Sequence, residues 1–516
     1  MSVALQASSP LSRISAAFDR LVDGLSDPAR ENRAAAVFLL IYASLWYVYL
    51  MIARSSTDMH PDMAEMLTWA QELSLGYPKH PPLPAFILWL WFKVFPVSEW
   101  AYTLLAVTNI AVGLYAAFRL CAVWLHGDKR AAVMLLLAVI PFYNFLGSKF
   151  DQNTLLIPLW ALAMWGLVRS LDGGRIGWSV LCGAAAAGAM LTKYWSLFLL
   201  VAMLATVLLD RRRGAYFKSA APYVTAAVFL VLTVPHLVWL IQNDFPPLRW
   251  VGARRAVQGA SGWMKSFLSY CLGTVSYASA PLLLWWLGTR PSAAAVQDSL
   301  WPSDPDRRRA IYLFWLPMVV PVIVALVRPT QLISLWNIPA LNLLPVLLLS
   351  SDKIVLPRFS VKVLAIIALA VPAVLIPVAP GVAYFKLRHG AENYALYAAQ
   401  AGNAAAAEWH AQTSAPLRIL AGPFGLVATA TAYMPEHPIA YSDFSRYLVP
   451  WVTQERIDRE GMAIVVPVKE TSWVKKARRA AGDAPFKEVS LARRWLWFQS
   501  KPEKFLIAVV PPTAQK

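Results

Sequence analysis

The segment that decides the interpretation of this chain is PDMAEMLTWAQELSLGYPKHPPL, residues 61–83. It places carboxylates, a lysine and a histidine in a proline-rich stretch between two long apolar runs. Ionisable groups held at the edge of a membrane are energetically costly and are functional candidates by default. The segment is therefore the first candidate for a reaction site.

The composition of the whole chain indicates a protein that lies mostly in lipid. Of its 516 residues, 58% are hydrophobic and 15% are charged, and the mean hydropathy is +0.49. A helix crosses a hydrocarbon core with roughly 17 to 25 apolar residues. About eleven such runs predict a polytopic α-helical membrane protein: 34–54, 99–125, 131–147, 153–169, 177–192, 194–209, 219–241, 266–288, 310–327, 334–350 and 362–384.

The loops predict the orientation, because Lys and Arg accumulate on the cytoplasmic side of a membrane. Basic residues recur in every second loop, near 129–130, 169–175, 211–218, 307–309 and 353–362. We therefore expect the N-terminal segment inside, without a cleavable signal peptide, and the C-terminus outside. The same pattern explains most of the net charge of +18. The sequence lacks a basic stripe interleaved with aromatic residues, which is the pattern that would indicate nucleic-acid binding.

The first outer loop is predicted to contain an interfacial helix over about 61–75, beginning at Pro61 and ending before Gly76. Asp62 lies in its first turn, where the helix dipole favours the ionised carboxylate, and Glu65 lies one turn further on the same face. The alternative is that Asp62 only caps the helix.

The loop after this helix, GYPKHPP at 76–82, is stiffened by three prolines. It presents Tyr77, Lys79 and His80 at the expected membrane surface. Protonatable side chains on rigid backbone suit an anion, and at this depth a phosphate or diphosphate would be lipid-linked. The alternative is that Lys79 only extends to lipid phosphates.

Further polar groups are expected on the same side of the membrane. Asp151 and Asn153 follow the third predicted span, and Lys193 and Tyr194 separate two spans that have almost no loop between them. Trp336 opens the tenth span. Each has a structural alternative. Asp151 and Asn153 would only satisfy the backbone of a short loop, Lys193 would extend outward to the membrane surface, and Trp336 would be an aromatic-belt residue.

Arginines in the outer loop 242–265 depart from the orientation rule, since positive charge should be scarce there. Arg249, Arg254 and Arg255 are suited to bidentate contacts with phosphate or carboxylate. We interpret the loop as an anion clamp. Docking onto an acidic domain surface or onto lipid headgroups is the alternative.

From about residue 385 the composition becomes that of a soluble domain, so we divide the chain into a cytoplasmic segment 1–33, a membrane domain 34–384 and an extracytoplasmic α/β domain 385–516. Alternating patterns in this domain predict strands and helices. The strands are 418–421, 439–441, 462–468 and 505–510, and the helices are 424–434, 444–459 and 471–481. The turn AGPFG at 421–425 lacks the spacing of a dinucleotide site, so we expect the domain to cover the reaction cleft or to hold an acceptor.

These features resemble the bacterial GT-C glycosyltransferases of the protein mannosyltransferase and aminoarabinose transferase superfamily, family 39. The resemblance covers nearly the whole membrane part. It is carried by Asp62, Trp69, Gly76-Tyr77, Pro81-Pro82, Asn153 through Trp160, Leu191 through Tyr194, the stretch 243–246, and Trp336 through Ala340.

Enzymes of this superfamily move a sugar from a polyprenyl-phosphate carrier to an acceptor at the outer membrane face. The resemblance implies inverting attack at the anomeric carbon, with Asp62 as the catalytic base or as the group that orients the acceptor. Positive groups would neutralise the departing phosphate: Lys79, His80, Lys193, Arg249, Arg254 and Arg255. The substrate pocket would be lined by Glu65, Tyr77, Asp151, Asn153, Tyr194 and Trp336.

The sequence departs from the commoner pattern of the superfamily at two positions. Many relatives have an acidic residue in place of Lys79 and an aspartate in place of Asn153. Sites poor in carboxylates bind Mg²⁺ or Mn²⁺ weakly. We therefore expect no resident metal, unless Asp151 substitutes as a ligand.

The KHPPL sequence at 79–83 resembles a subgroup that decorates lipopolysaccharide, in some cases with galacturonic acid. This implies a polyprenyl-phosphate sugar as donor and a glycolipid, either lipopolysaccharide core or lipid A, as acceptor. The protein would be a monomer in the bacterial inner membrane, with its active site on the periplasmic face. The alternatives are a transporter or flippase for a lipid-linked saccharide, which would place ionisable groups near the bilayer midplane, a glycosyltransferase acting on protein, and a scaffold protein.

Overall fold

The first three quarters of the chain are helical in the computed structural model, which describes residues 10–255, 257, 259–391 and 394–513. Three 3₁₀ segments interrupt the helices: Pro141–Tyr143, Tyr194–Ser196 and Ser334–Leu343. The α-helices of this part are α1 (Pro10–Ser26), α2 (Glu31–Arg54), α3 (Pro61–Gln71), α4 (Leu83–Val94), α5 (Glu99–Cys121), α6 (Gly127–Ala138), α7 (Leu156–Leu171), α8 (Gly177–Met190), α9 (Leu197–Leu209), α10 (Arg213–Lys218), α11 (Ala221–Gln242), α12 (Pro246–Arg255), α13 (Gly259–Thr289), α14 (Ala293–Leu300), α15 (Pro305–Val327), α16 (Leu344–Leu349) and α17 (Arg358–His389).

The predicted membrane spans coincide with helical segments, and the predicted fold class is confirmed. Among the described residues, α2, α5, α11, α13, α15 and α17 are long and apolar enough to cross a membrane, and α7, α8, α9 and the segment Ser334–Leu349 are shorter apolar helices. The predicted span 131–147 differs. Its helix, α6, ends at Ala138, because Pro141 cannot continue a helix and the chain turns through a 3₁₀ segment.

The loops alternate between two ends of the helical bundle, as the distribution of charge predicts. At one end, ion pairs join segments far apart in sequence, including Arg309 Nη1 to Asp172 Oδ1 at 2.7 Å and Lys362 Nζ to Asp19 Oδ2 at 2.8 Å. The segment 61–83 and the C-terminal domain lie at the other end. The assignment of the basic end to the cytoplasm stays a prediction.

The C-terminal domain is a three-layer α/β unit. Its five-stranded sheet has the order β2-β1-β3-β7-β4, in which β1 is parallel to β2 and β3, and β7 is antiparallel to β3 and β4. Two further strands, β5 and β6, form a hairpin. The elements are α18 (Ala398–Gln412), β1 (Ile419–Gly422), α19 (Phe424–Tyr433), β2 (Ile439–Ser442), α20 (Gln454–Glu460), β3 (Met462–Pro467), α21 (Thr471–Ala481), β4 (Phe486–Leu491), β5 (Arg494–Trp495), β6 (Phe498–Gln499) and β7 (Glu503–Val510).

Most predicted elements of this domain are present, and several differ. The predicted helix 444–459 is wrong over most of its length, because Asp443 and Phe444 adopt positive φ and the helix begins only after Thr453, whose side chain caps it. The strand β4 and the helix α18 were not predicted. The helix α17 continues beyond the predicted boundary at 384, and the three-part domain division stays a prediction.

Alternation along the strands sends side chains to two separate cores. One face of the sheet packs against α20 and α21. The other face packs against α18 and α19, and its core continues without a break into α3, α4 and α5 of the membrane part. The segment 61–83 is therefore held between the helical bundle and the C-terminal sheet.

A buried ion pair fixes the C-terminal domain to the loop after α2. The Asp58 carboxylate is fully buried, lies 2.7 Å from Arg493 Nη1 and accepts a hydrogen bond from the backbone N–H of Ala399. The backbone N–H of Asp58 donates to the carbonyl of Ala395 at 2.6 Å. These contacts join residues from opposite ends of the sequence.

The variant Asp58→Asn is expected to weaken this attachment by about 3 kcal/mol, because it leaves the Arg493 guanidinium in a largely buried position without a counter-charge. The check is limited proteolysis and thermal unfolding of the full chain in nanodiscs, with cleavage expected between α17 and β7. Lys487→Gln is the control, since the Lys487–Glu408 pair is exposed on the lysine side and such pairs contribute under about 1 kcal/mol. Equal protease resistance of Asp58→Asn and the control would contradict this account.

Candidate active site

Asp62 lies at the start of α3 in a cluster with two basic side chains. The Nδ1 atom of His60 accepts a hydrogen bond from the backbone N–H of Asp62 at 3.1 Å, so His60 is the residue that caps the helix. The carboxylate of Asp62 lies 3.6 Å from His60 Nδ1 and 3.7 Å from Lys149 Nζ, and half of its side chain is exposed. Asp62 is thus open to solvent rather than occupied as a helix cap.

His60 is neutral at ordinary pH. Burial, followed by the charge of Lys149, lowers its pKa to about 4. The Nζ atom of Lys149 lies 3.0 Å from His60 Nε2. Neither residue is among the predicted site residues. Lys149 places a positive charge 3.7 Å from the carboxylate of Asp62.

Glu65 and Lys79 form a largely buried ion pair with a Glu65 Oε1 to Lys79 Nζ distance of 2.5 Å. Burial raises the pKa of Glu65, and Lys79 opposes that shift. The ammonium group also lies 4.7 Å from the ring centroid of Phe424 and 5.9 Å from that of Trp250. The assignment of Lys79 to the donor phosphate stays a prediction, and in the structure Glu65 already compensates its charge.

His80 also differs from the expectation that it adds positive charge. Burial holds its pKa well below the ordinary value, and the charges of Lys193 and Lys79 lower it further. The ring packs at a tilt against Trp69, with 5.9 Å between centroids. A neutral His80 can donate a hydrogen bond to a phosphate but does not neutralise it.

Lys193 is the buried cation of a chain of polar contacts. Its Nζ donates to Asn153 Oδ1 at 2.6 Å and lies 4.1 Å from the ring centroid of Trp336. Asn153 Nδ2 donates in turn to Asp151 Oδ2 at 3.2 Å. The other carboxylate oxygen of Asp151 accepts the backbone N–H groups of Asn153 and Thr154. The structure thus brings together four of the predicted residues that lie on three separate loops.

The two tyrosines predicted to line a substrate pocket are used to hold the loop. Tyr77 is fully buried, stacks on Trp69 at 4.9 Å and donates its hydroxyl to the carbonyl of Trp69. Its assignment to the substrate pocket stays a prediction, and in the structure its ring completes the core under α3. The hydroxyl of Tyr194 contacts Nε2 of His236 at 2.8 Å, and Nδ1 of His236 lies 2.6 Å from the carbonyl of Leu75.

Gly76 follows Leu75 at this corner and packs directly on α11. A Cβ atom at this position would lie 2.2 Å from the ring of Trp239. The glycine is therefore required for the close approach of the loop to the helix, which positions Lys79 and His80.

The predicted anion clamp is only partly described. Arg249 lies on α12, is exposed, and donates to the carbonyl of Asn243 at 3.1 Å. The side chains of Arg254 and Arg255 lie outside the described residues. The hydroxyl of Tyr447 donates to the carbonyl of Pro246 at 2.6 Å, which ties α12 to the C-terminal domain.

The described ranges contain no group of three or more His, Cys, Asp or Glu side chains that could hold a metal ion. The expectation of a site without a resident metal stays a prediction. The groups that the geometry offers for chemistry are instead a half-exposed carboxylate, neutral imidazoles and lysines.

An apolar cavity of about 580 Å³ opens beside this cluster, between α13, α15 and the segment Ser334–Leu349. Tyr270 and Asn337 lie in its wall, and their side chains contact each other at 2.8 Å. Asn337 adjoins Trp336, which contacts Lys193. From there the cavity continues along apolar side chains to Trp285 and Leu348.

Comparisons with known proteins agree with this geometry. The family model for dolichyl-phosphate-mannose-protein mannosyltransferase matches residues 79–239. The chain is 26% identical to the lipopolysaccharide core galacturonosyltransferase RgtB of Rhizobium johnstonii, over 67% of this chain and 72% of the relative. It is 25% identical to RgtA of the same organism, over 63% of this chain and 66% of the relative. The crystal structure of ArnT from Cupriavidus metallidurans bound to undecaprenyl phosphate has a similar fold, with a TM-score of 0.58, 15% identity, and coverage of 92% of this chain and 97% of that chain.

The fold and the comparisons define a multi-pass membrane glycosyltransferase whose charged site lies under an α/β domain. The family model, the relatives and the shared fold together support the GT-C glycosyltransferase superfamily, related to family 39, as the motifs predict.

Because His60 is neutral in the folded protein, we expect the stability of the protein to depend on pH. Its folded pKa of about 4 lies below the ordinary value of 6.5, so the unfolded chain binds a proton as the pH falls below 6.5 while the native chain does not. The free energy of unfolding should therefore fall between pH 6.5 and 4, by up to about 3 kcal/mol from this group. His60→Asn keeps a good helix cap and should flatten this part of the profile, measured as Tm against pH. The control is His126→Asn, an exposed histidine that also precedes a helix; an unchanged profile for His60→Asn would contradict the assignment.

Proposed function

We propose that the protein transfers a sugar from a polyprenyl-phosphate donor to an envelope glycolipid, lipopolysaccharide core or lipid A, at the periplasmic face of the inner membrane. One observation carries the proposal: a half-exposed carboxylate, Asp62, lies at the same end of the bundle as the buried cation Lys193, whose contact Trp336 directly precedes Asn337 in the wall of an apolar cavity. A lipid phosphate with a sugar attached has the three matching parts, namely an apolar tail, an anion and a reactive carbon.

The apolar cavity suits the tail of the donor. Its walls are almost entirely hydrocarbon and aromatic. An isoprenoid chain can bury its apolar surface there, out of contact with the surrounding lipids. The phosphate would then lie beside Trp336, within reach of Lys193 and of the neutral imidazole of His80. Lys193 is assigned as the main phosphate-binding cation because it contacts Trp336, the neighbour of Asn337 in the cavity wall, whereas Lys79 pairs with Glu65.

The reaction forms one bond and breaks another at the anomeric carbon of the sugar. The acceptor hydroxyl oxygen attacks this carbon, the bond to the phosphate oxygen breaks, and the electron pair leaves with the polyprenyl phosphate. The proton of the acceptor hydroxyl passes to the carboxylate of Asp62. Negative charge grows on the phosphate as the bond breaks, and the fixed charge of Lys193 stabilises it. In-line attack of this kind inverts the configuration of the sugar.

The relatives support a glycolipid acceptor and suggest the first sugar to test. RgtA and RgtB are named as core galacturonosyltransferases, and RgtD, 24% identical over 42% of this chain, as a lipid A galacturonosyltransferase. Galacturonic acid is therefore the first donor sugar. The ionisable cluster lies at one end of the bundle rather than at the midplane, which favours a transferase over a transporter.

The variant Asp62→Asn is expected to reduce transfer by roughly 10²-fold to 10⁴-fold, because an amide cannot accept the proton of the acceptor. The measurement is transfer from polyprenyl-phosphate galacturonic acid to lipopolysaccharide by full-length protein in nanodiscs, with the product identified by mass spectrometry. Asp352→Asn, an exposed aspartate at the opposite end, is the control and should retain full activity. Equal rates for Asp62→Asn and wild type would remove Asp62 from the mechanism, whereas sugar found only on protein would favour a protein acceptor.

The variant Lys193→Gln should raise the KM for the donor roughly tenfold, because a buried charge-assisted hydrogen bond to phosphate is lost. Gln can still contact Asn153, so the protein should fold. The KM for the acceptor should stay unchanged, and Lys218→Gln, an exposed lysine at the other end, should change neither constant. A donor KM equal to that of wild type would show that the phosphate lies elsewhere.

A further inference from the structure

A second cavity, of about 590 Å³, lies in the C-terminal domain where its parallel strands end. The strands β1, β2 and β3 end at Gly422, Ser442 and Pro467, and the residues that follow form the cavity wall. In open α/β sheets, ligands bind in the crevice outside the carboxyl ends of the strands. The cavity therefore occupies a position where binding sites are built.

This cavity shares a wall with the candidate active site. The ring of Phe424 lines the cavity on one side, and the ammonium group of Lys79 lies 4.7 Å from the ring centroid. Asp443, which also lines the cavity, accepts the backbone N–H of Phe424 at 2.8 Å and is close enough to raise the pKa of Glu65. A molecule bound in the cavity would thus have one end beside the Glu65–Lys79 ion pair, one turn of α3 from Asp62.

The lining has the chemistry of a carbohydrate site. Trp473 and Tyr394 supply aromatic surface, and the hydroxyl of Tyr394 donates to the carboxylate of Glu470. Carboxylates accept strong charge-assisted hydrogen bonds from sugar hydroxyls. Among the described lining residues the acidic side chains are Asp443, Glu470 and Glu503, and the basic one is Lys469, which pairs with Glu503 at 2.7 Å.

The excess of acidic over basic side chains in the cavity lining limits the chemical class of the ligand. An excess of carboxylates repels phosphate and uronic acid groups, so the donor with its anionic carrier is disfavoured here. A neutral sugar can bury its apolar face against Trp473 and direct its hydroxyls to Asp443 and Glu470.

We propose that this cavity binds a neutral, hydroxyl-bearing sugar unit of the acceptor and so presents its attacking hydroxyl to Asp62. The inference rests on the proposed function and adds to it the part of the chain that recognises the acceptor. Glu470 and Trp473 are binding residues in this account and take no part in the chemical step.

The test uses Glu470→Gln and Trp473→Leu in the full-length protein in nanodiscs. Each should raise the KM for deacylated core oligosaccharide of Rhizobium johnstonii lipopolysaccharide roughly tenfold, the loss expected for one charged hydrogen bond, with kcat and the KM for the donor unchanged. Glu455→Gln is the matched control, since Glu455 is exposed on α20 of the same domain and lies outside the cavity lining. Binding of the same oligosaccharide without donor is measured by calorimetry on every variant.

The outcomes separate this inference from the proposed function. If wild type transfers sugar and both variants keep the acceptor KM of wild type, or if only the donor KM rises, the cavity is not the acceptor site. If wild type transfers nothing but binds the oligosaccharide, and both variants weaken that binding, the site stands and the proposed reaction fails. An absence of both binding and transfer overturns both.

Discussion

The arrangement depends on one contact surface: the packing of α3 between the helical bundle and the C-terminal sheet. The apolar face of α3, with Met63, Leu67 and Trp69, is buried in a core that continues into α19 and the strands β1 and β3. Burial of large apolar side chains is the main favourable term in such a surface. The polar face of α3 is then fixed, and Asp62 and Glu65 lie where the bundle, the loop 76–82 and the sheet domain meet.

Charge at this meeting point is closely compensated. Lys79 is neutralised by Glu65, and burial keeps His60 and His80 uncharged. Burying an unpaired charge in a low-dielectric site costs free energy. A site that binds an anion is therefore expected to contain few uncompensated charges. Lys193, held by Asn153 and Trp336, is placed for that role.

The sequence predicts the local parts of this structure well and the long-range contacts poorly. Apolar runs mark the spans because their length is set by the membrane, and Pro61 marks the start of α3 because proline suits a first helical turn. The partnership of His60 with Lys149, 89 positions apart, has no local pattern. The pairing of Lys79 with Glu65, 14 positions apart, also has no local pattern. The exposed edge strand β4 was missed because its alternation is masked by charged residues.

The shared core around α3 also sets the order in which the molecule matures. The ribosome makes the 61–83 segment before Phe424 and Asp443, the residues of the C-terminal domain that lie beside Lys79 and Glu65. Until the sheet has folded against α3, the ion pair stays hydrated and the apolar face of the helix stays uncovered. The buried environment of the Glu65–Lys79 pair is thus built from both ends of the chain, and the C-terminal domain is a required part of it.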